Sequence, residues 1–223
     1  MKYDIEQTES DMMLKERVDL ESKRYLIVKR LIDIIASFSG MLILLPFFLL
    51  FAILIKIDSP KGSVLFKQVR IGKNEKEFNM YKLRSMCVDA EQQLEGLLQD
   101  NEIEGAMFKM KEDPRVTRIG KLIRKTSIDE FPQLWNVFKG DMSLIGPRPP
   151  LPREVEEYTS YDKQRLLVIP GCTGLWQISG RNHLSFHQMV ELDLEYIRNI
   201  SFKNDMIILL KTVGVLFGSD DAY

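Results

Sequence analysis

The sequence predicts an α+β fold, mainly helical: a single domain with a short β-hairpin, anchored by a membrane helix near its N-terminus and by interfacial amphipathic helices. Three observations carry this. The 223 residues suffice for one core and are short for two. From Ile34 to Ile55 run 22 uncharged, mostly apolar residues, the length a bilayer helix needs. Beyond them, two strand-like runs part at a turn and lead into successive helical patterns. The expected organisation is an acidic tail over 1–24, a membrane helix over 25–58 and one domain over 59–223.

Charge is blocked although the total is only −1. Residues 1–22 hold seven acids against three bases, and Lys23 to Arg84 hold twelve bases against four acids around the most apolar stretch. That pairing of basic excess with apolarity points to an anionic lipid surface. Ser85 to Ala106 then carries six acids and no base, and Met107 to Lys125 seven bases against two acids. No nucleic-acid motif accompanies the basic blocks, so nucleic acid is not an expected partner. Cys87 and Cys172 are far apart and in no metal or redox spacing, which reads as free thiols in a reducing compartment. The first residues are polar and acidic, unlike a cleavable signal peptide.

Lys23, Arg24, Lys29 and Arg30 flank one end of the apolar segment, and Lys56, Lys61, Lys67 and Arg70 the other. Positive charge on both sides disfavours translocating either. Pro46 sits near the middle, where it removes a backbone hydrogen bond and breaks or kinks a helix. The expectation is a re-entrant helix that enters and leaves by the cytoplasmic face, with a kinked spanning helix as the alternative.

In the soluble part, "SVLFKQV" and "EFNMYKLRSM" read as a hairpin with Gly72 and Asn74 in its turn. Leu94, Leu97 and Leu98 give the acidic segment helical spacing. Helices are expected near Arg118 to Lys125, Ile128 to Phe138, Arg153 to Val168 and His187 to Arg198. "GPRPPLP" reads as a rigid connector, "PGCTGLWQISGRN" as a glycine-rich loop, and "DMIILLKTVGVLFG" as an apolar helix too short to span comfortably.

The chemistry concentrates at "RVTRIGKLIRKTSIDEFPQ", where basic residues run into Asp129 and Glu130. Ser127 and Glu130 match the S-x-x-E capping box, which makes the acids helix-terminal complements. The alternative is that a carboxylate there is held ionised and aimed outward as a nucleophile or metal ligand. Lys121, Arg124 and Lys125 share a helical face, either solvated or a phosphate clamp. Arg148 lies between Pro147 and Pro149, whose restricted backbone lowers the entropy lost when its guanidinium binds an anion. His183, His187 and Glu191 fall at four-residue spacing, but the geometry suits zinc poorly and H-E-x-x-H is absent.

In order, "KRLIDII", a prolyl membrane helix, "MYKLRSM", "GKLIRKTSIDEFPQLWNVFKGDMSLIGPRP", "PGCTGLWQISGRN" and "ELDLEYIRNIS" resemble the bacterial sugar transferase family, the small monotopic polyprenyl-phosphate phosphoglycosyl transferases. The resemblance covers about Lys29 to Leu216 and implies a cytoplasmic catalytic domain at the bacterial inner membrane. It implies transfer of a sugar 1-phosphate from a UDP-sugar to undecaprenyl phosphate, beginning capsule or exopolysaccharide assembly, with homo-oligomers or assembly proteins as further partners. It makes Asp129 the nucleophile and Glu130 a ligand of Mg2+, with Arg124 on phosphate oxygens and Arg148 near the nucleotide. Lys82 and Arg181 match motif positions with less defined duties. The pattern departs at Leu45, before Pro46, where many relatives place serine. A hydrolase of nucleotide sugars using the same carboxylates, and a non-catalytic scaffold of a polysaccharide assembly, are the competing readings.

Overall fold

The structure, a computed structural model, describes residues 23–102, 108, 110, 112–180 and 184–218. Helix α1 (Lys23–Asp58) contains Pro46 and has no acid in its first turn. At 36 residues it measures about 54 Å. Hairpin strands β1 (Leu65–Ile71) and β2 (Glu77–Leu83) pair antiparallel, Leu65 opposite Leu83 and Ile71 opposite Glu77. In the turn between them Asn74 and Glu75 take the left-handed conformation, whereas Gly72 remains at φ −107°. The acidic segment forms only a four-residue helix, α2 (Leu94–Leu97), and a 3-10 turn over Leu98–Asp100, with nothing buried in either.

Helix α3 (Arg118–Lys125) starts at Thr117, whose side chain accepts from the Gly120 N–H. The helix expected from Ile128 to Phe138 is instead a 3-10 turn, Ile128–Glu130, and then α4 (Gln133–Lys139) with Pro132 at its N-cap. Proline lacks the N–H a continuous helix needs, so the two turns separate there. After α4, β3 (Ser143–Ile145) enters the "GPRP" segment. The pattern from Arg153 to Val168 splits into α5 (Pro152–Glu156), α6 (Ser160–Lys163) and a 3-10 turn over Gln164–Leu167. Inside the glycine-rich loop, β4 (Gly171–Thr173) pairs parallel with β3. A Cβ on Gly171 would lie 2.1 Å from the Gly146 nitrogen, so only glycine lets these strands approach. Helices α7 (Phe186–Arg198) and α8 (Phe202–Gly218) are the last of the described elements.

Helix α1 is held at both ends by the same body. Near its start, the two Nη atoms of Arg30 donate to the Val137 and Phe138 carbonyls at 2.6 and 2.7 Å, at the C-terminal end of α4. Buried Asp33 accepts from the Leu144 N–H of β3 at 3.0 Å. Near its finish, Phe51 and Ile55 bury against Leu83 and Ile123, and Lys56 donates to the Gly62 carbonyl. Between these contacts, Leu42, Ile43, Leu45, Phe47, Leu49 and Leu50 are all exposed. The N-terminal arm is also tied to α8. Asp205 accepts from Tyr25 Oη at 2.7 Å, Lys29 Nζ at 2.6 Å and Tyr196 Oη at 2.9 Å.

Three donors converge on one buried carboxylate, so Asp205→Ala leaves Lys29 charged and unpaired in a site with little water. Breaking such a pair costs ~3 kcal/mol, equivalent to a fall in melting temperature of roughly 6–12 °C for a chain of this size. Thermal melts in detergent, with Asp205→Asn retaining the acceptor but not the charge and expected to fall in between, check this.

Candidate active site

Asn136 shows how α4 is placed. It is fully buried and bonds the outer edge of β2, accepting from Tyr81 N at 3.1 Å and donating to the Asn79 carbonyl at 2.7 Å. One side chain amide thus satisfies the edge groups a third strand would otherwise meet. On the other side of the turn, α3 lies so close to the end of β2 that a Cβ on Gly120 would stand 1.9 Å from the Ser85 oxygen. With α3 and α4 both fixed to the hairpin, the intervening turn carries Asp129 and Glu130 over the inward face of β2.

That face follows the strand period. Phe66 pairs with Lys82, Gln68 with Met80 and Arg70 with Phe78, which puts Lys82 and Arg70 on one side of the hairpin. The shallow open cleft beneath is lined by Arg70, Lys82, Glu130, Gln133, Arg148 and Cys172 among others. Lys82 Nζ donates to Glu130 Oε1 at 2.8 Å. Arg148 enters from the "GPRP" segment, whose Pro150 carbonyl accepts from the Ile71 N–H at 2.9 Å. Its own carbonyl lies 3.5 Å from Arg165 Nη2. Arg165 is in turn ion-paired with fully buried Asp193 and donates to Tyr158 Oη, so the loop bearing Arg148 rests on a buried polar post.

Asp129 is buried, and burial pushes its pKa up to about 6; the nearby Glu130 charge adds to this, while Lys82 and Arg124 oppose it. The sequence expectation that a helix N-terminus aims this carboxylate outward is therefore corrected, since Asp129 is buried on a 3-10 turn. The turn has only three residues, so no helix dipole of consequence acts there, and desolvation dominates. The S-x-x-E capping box is absent too. Ser127 is left-handed at φ 54° and its side chain caps nothing, and the Glu130 carboxylate accepts from Lys82 instead.

Of the expected site residues, the structure brings Lys82, Glu130 and Arg148 to the cleft, with Asp129 beside Glu130. Arg124 is half-buried at the end of α3 and acts electrostatically on Asp129, whereas Lys121 and Lys125 on the same helix are exposed. Arg181 and His183 lie outside the described residues. His187 is exposed on α7, and Glu191 accepts from Tyr161 Oη at 2.5 Å. Pro46 is exposed on α1, away from the cleft lining. Cys172 faces the cleft, yet burial pushes its pKa up, so it stays a protonated thiol and a poor nucleophile. The residue that sequence reasoning misplaced is Arg70, counted only among charges flanking the apolar helix. Alternation from Phe66 through Gln68 carries the signal that it points inward.

The resemblance read from the motifs is matched by comparison with known proteins. The family model described as bacterial sugar transferase matches residues 24–219. Galactosyl transferase CpsE of Streptococcus agalactiae serotype III is 49% identical over 195 residues, 86% of this chain and 42% of the relative. The undecaprenyl-phosphate galactose phosphotransferase of Salmonella typhimurium is 40% identical over 216 residues, 95% of this chain and 45% of the relative. The exopolysaccharide production protein ExoY of Rhizobium meliloti is 40% identical over 199 residues, 87% of this chain and 88% of the relative. This chain thus spans less than half the length of the first two and most of the third. On the family match and on this identity, the chain belongs to the bacterial sugar transferase family.

Proposed function

We propose that the chain transfers a sugar 1-phosphate from a UDP-sugar to undecaprenyl phosphate, releasing UMP and forming an undecaprenyl-diphospho-sugar, the first membrane step of capsule or exopolysaccharide synthesis. The observation that carries this is a buried carboxylate, Asp129, beside a cleft lined by Lys82, Arg70 and Arg148 on a domain whose helix α1 exposes a long apolar surface. Relatives that include a UDP-galactose-lipid carrier transferase of Erwinia amylovora point the same way.

On this reading a carboxylate oxygen of Asp129 attacks the phosphorus bonded to the sugar, the bond to the bridging oxygen breaks, and UMP leaves with the electron pair. An oxygen of undecaprenyl phosphate then attacks the same phosphorus and returns the Asp129 carboxylate. Lys82 and Arg148 hold the phosphate oxygens, and Arg124 favours the ionised nucleophile. Glu130, part-exposed, offers a hard oxygen of the kind Mg2+ takes together with waters and substrate phosphates. The described residues hold no group of three such side chains, so most of the ion's coordination would come from substrate and water. When bound, it neutralises diphosphate charge.

An acceptor that is half lipid needs a site at headgroup depth. Phe38 of α1 contacts Phe138, which stacks on the half-exposed Trp135, so an aromatic patch joins α1 to α4 where interfacial side chains favour the headgroup layer. Both ends of α1 reach one body, which supports a re-entrant helix and a cytoplasmic face at the inner membrane.

Three outcomes are expected. Intact mass measurement with Mg2+ and a panel of UDP-sugars shows a phosphosugar adduct on the wild type, discharged by undecaprenyl phosphate and absent from Asp129→Ala; release of UMP only with lipid phosphate, with no adduct at any time, means direct displacement. In right-side-out vesicles, Arg24→Cys and Lys61→Cys, each with Cys87 and Cys172 replaced, resist an impermeant maleimide until lysis; labelling of Arg24→Cys alone means that α1 crosses. Thirdly, an acid whose folded pKa is raised binds its proton more tightly when folded, so the wild type loses stability as pH rises from its unfolded value of 3.8 to about 6. Asp129→Asn, lacking that cost, is more stable by ~2–3 kcal/mol at pH 8, an advantage that disappears by about pH 4 in melts across this range.

A further inference from the structure

Arg70 is 5% exposed at the end of β1. Its Nη1 donates to the Pro149 carbonyl at 2.9 Å and its Nη2 to Gln68 Oε1 at 2.8 Å, both neutral acceptors. Its Nε is buried with no hydrogen-bond partner. Arg165 also has an unpartnered Nε, but it and Arg115, the other buried arginines among the described residues, differ from Arg70 in having a charge partner. Arg165 pairs with Asp193, and Arg115 with Asp113, whereas among the described residues no ion pair includes Arg70. The cleft also sets a like charge near it, Arg148, with Lys82 on the same strand face. Glu154 and Glu130 offset its charge only through space, with no hydrogen bond to it. A guanidinium that serves only as a strut gains from a directly bonded carboxylate; one without such a partner, buried beside Arg148, gains when an anion arrives.

We propose that Arg70 and Arg148 form a two-guanidinium clamp for the phosphate oxygens of a substrate, with Arg70 a substrate-contacting residue. The clamp rests on the transferase reading for the identity of that substrate. The planar guanidinium with its unused Nε–H offers the directional donors that phosphate oxygens accept, which a lysine cannot reproduce. Two sources supply this chemistry, the diphosphate of a sugar nucleotide and the phosphate of a polyprenyl lipid.

Calorimetric titration of the full chain in detergent separates them, with inorganic pyrophosphate, UDP and a short-chain polyprenyl phosphate as probes. Arg70→Gln is expected to weaken at least one probe about tenfold or more, the scale of a lost charge-assisted hydrogen bond, with Arg70→Lys between it and the wild type. Loss confined to pyrophosphate and UDP assigns the clamp to the donor, and loss confined to the lipid phosphate assigns it to the acceptor. Wild-type affinities for all three probes in either variant that still melts cooperatively overturn the proposal, as does a wild type that binds none of them. A strut alone would lower the ligand-free melting temperature and leave affinities unchanged, and Arg70→Lys, which keeps the charge, maintains the test if Arg70→Gln does not fold. Arg70-dependent pyrophosphate binding without UMP release from any UDP-sugar keeps the clamp and removes the transferase reading. Turnover with affinities indifferent to Arg70 does the reverse.

Discussion

The polar docking of α1 on the globular body is the interaction on which the remaining geometry depends. A helix that shows lipid-like residues over most of its surface gains little from apolar contact in a bilayer, where the surrounding tails are equally apolar. Arg30 and Asp33 supply what apolar contact does not. Arg30 takes the last carbonyls of α4, and Asp33 takes the first free N–H of β3. Those two elements lead from the Asp129 turn and into the segment bearing Arg148. The separation of the carboxylates from the "GPRP" arginine is thus set by a helix that contributes nothing to the cleft itself. A Cβ on Gly140, left-handed at φ 95°, would stand 3.2 Å from Arg30 Nη2, so the glycine that ends α4 also leaves room for the guanidinium.

Charge in the cleft is arranged against stability. Asp129 is raised by burial against the opposing charges of Lys82 and Arg124, Arg70 is lowered first by burial and then by Arg148 against Glu154 and Glu130, and neither has an ion pair among the described residues. Elsewhere the protein handles buried charge differently. Arg165 and Asp193 satisfy one another between the turn at Gln164–Leu167 and α7, and Lys29 and Asp205 do so between α1 and α8. The contrast separates positions where an ion pair holds two elements together from Asp129 and Arg70 at the cleft, which have none among the described residues.

Much of this was legible in the sequence. Hydropathy located α1, two strand-like runs about a turn at Gly72 and Asn74 located the hairpin, and the order of motifs identified the family. What failed did so for tertiary reasons. Ser127 and Glu130 satisfy a local capping rule, but the rule presumes a helix, and Pro132 together with the packing of α3 on Ser85 leaves only a 3-10 turn. Glu130 then finds Lys82, 48 residues away, a partner that no local pattern names. Asp129 reads as an outward charge because it falls at an apparent helix N-terminus, whereas its neighbours in space desolvate it. Arg70 was lost in a charge count that ignored which strand face it occupies.

The proposed substrates make a physical demand that this arrangement meets at one place. A sugar nucleotide arrives from water and requires cations in a sheltered cleft; a polyprenyl phosphate brings an anionic head on a chain that must remain in the apolar layer. Helix α4 faces both. Its N-terminal residue Gln133 lines the cleft next to Glu130, and Trp135 and Phe138 on the same helix join the aromatic patch with Phe38 of α1. Seven residues of helix rise only about 10 Å, so the edge of the cleft and the aromatic patch are joined by one short rigid element, with Asp129 on the 3-10 turn immediately before it. Preorganisation of this kind spares the entropy of bringing lipid head and nucleotide together at the moment of reaction. It also accounts for the fully buried Asn136 in the middle of α4. Rotating or sliding that helix would break its bonds to the edge of β2, and with them the alignment of Lys82 on β2 with Glu130.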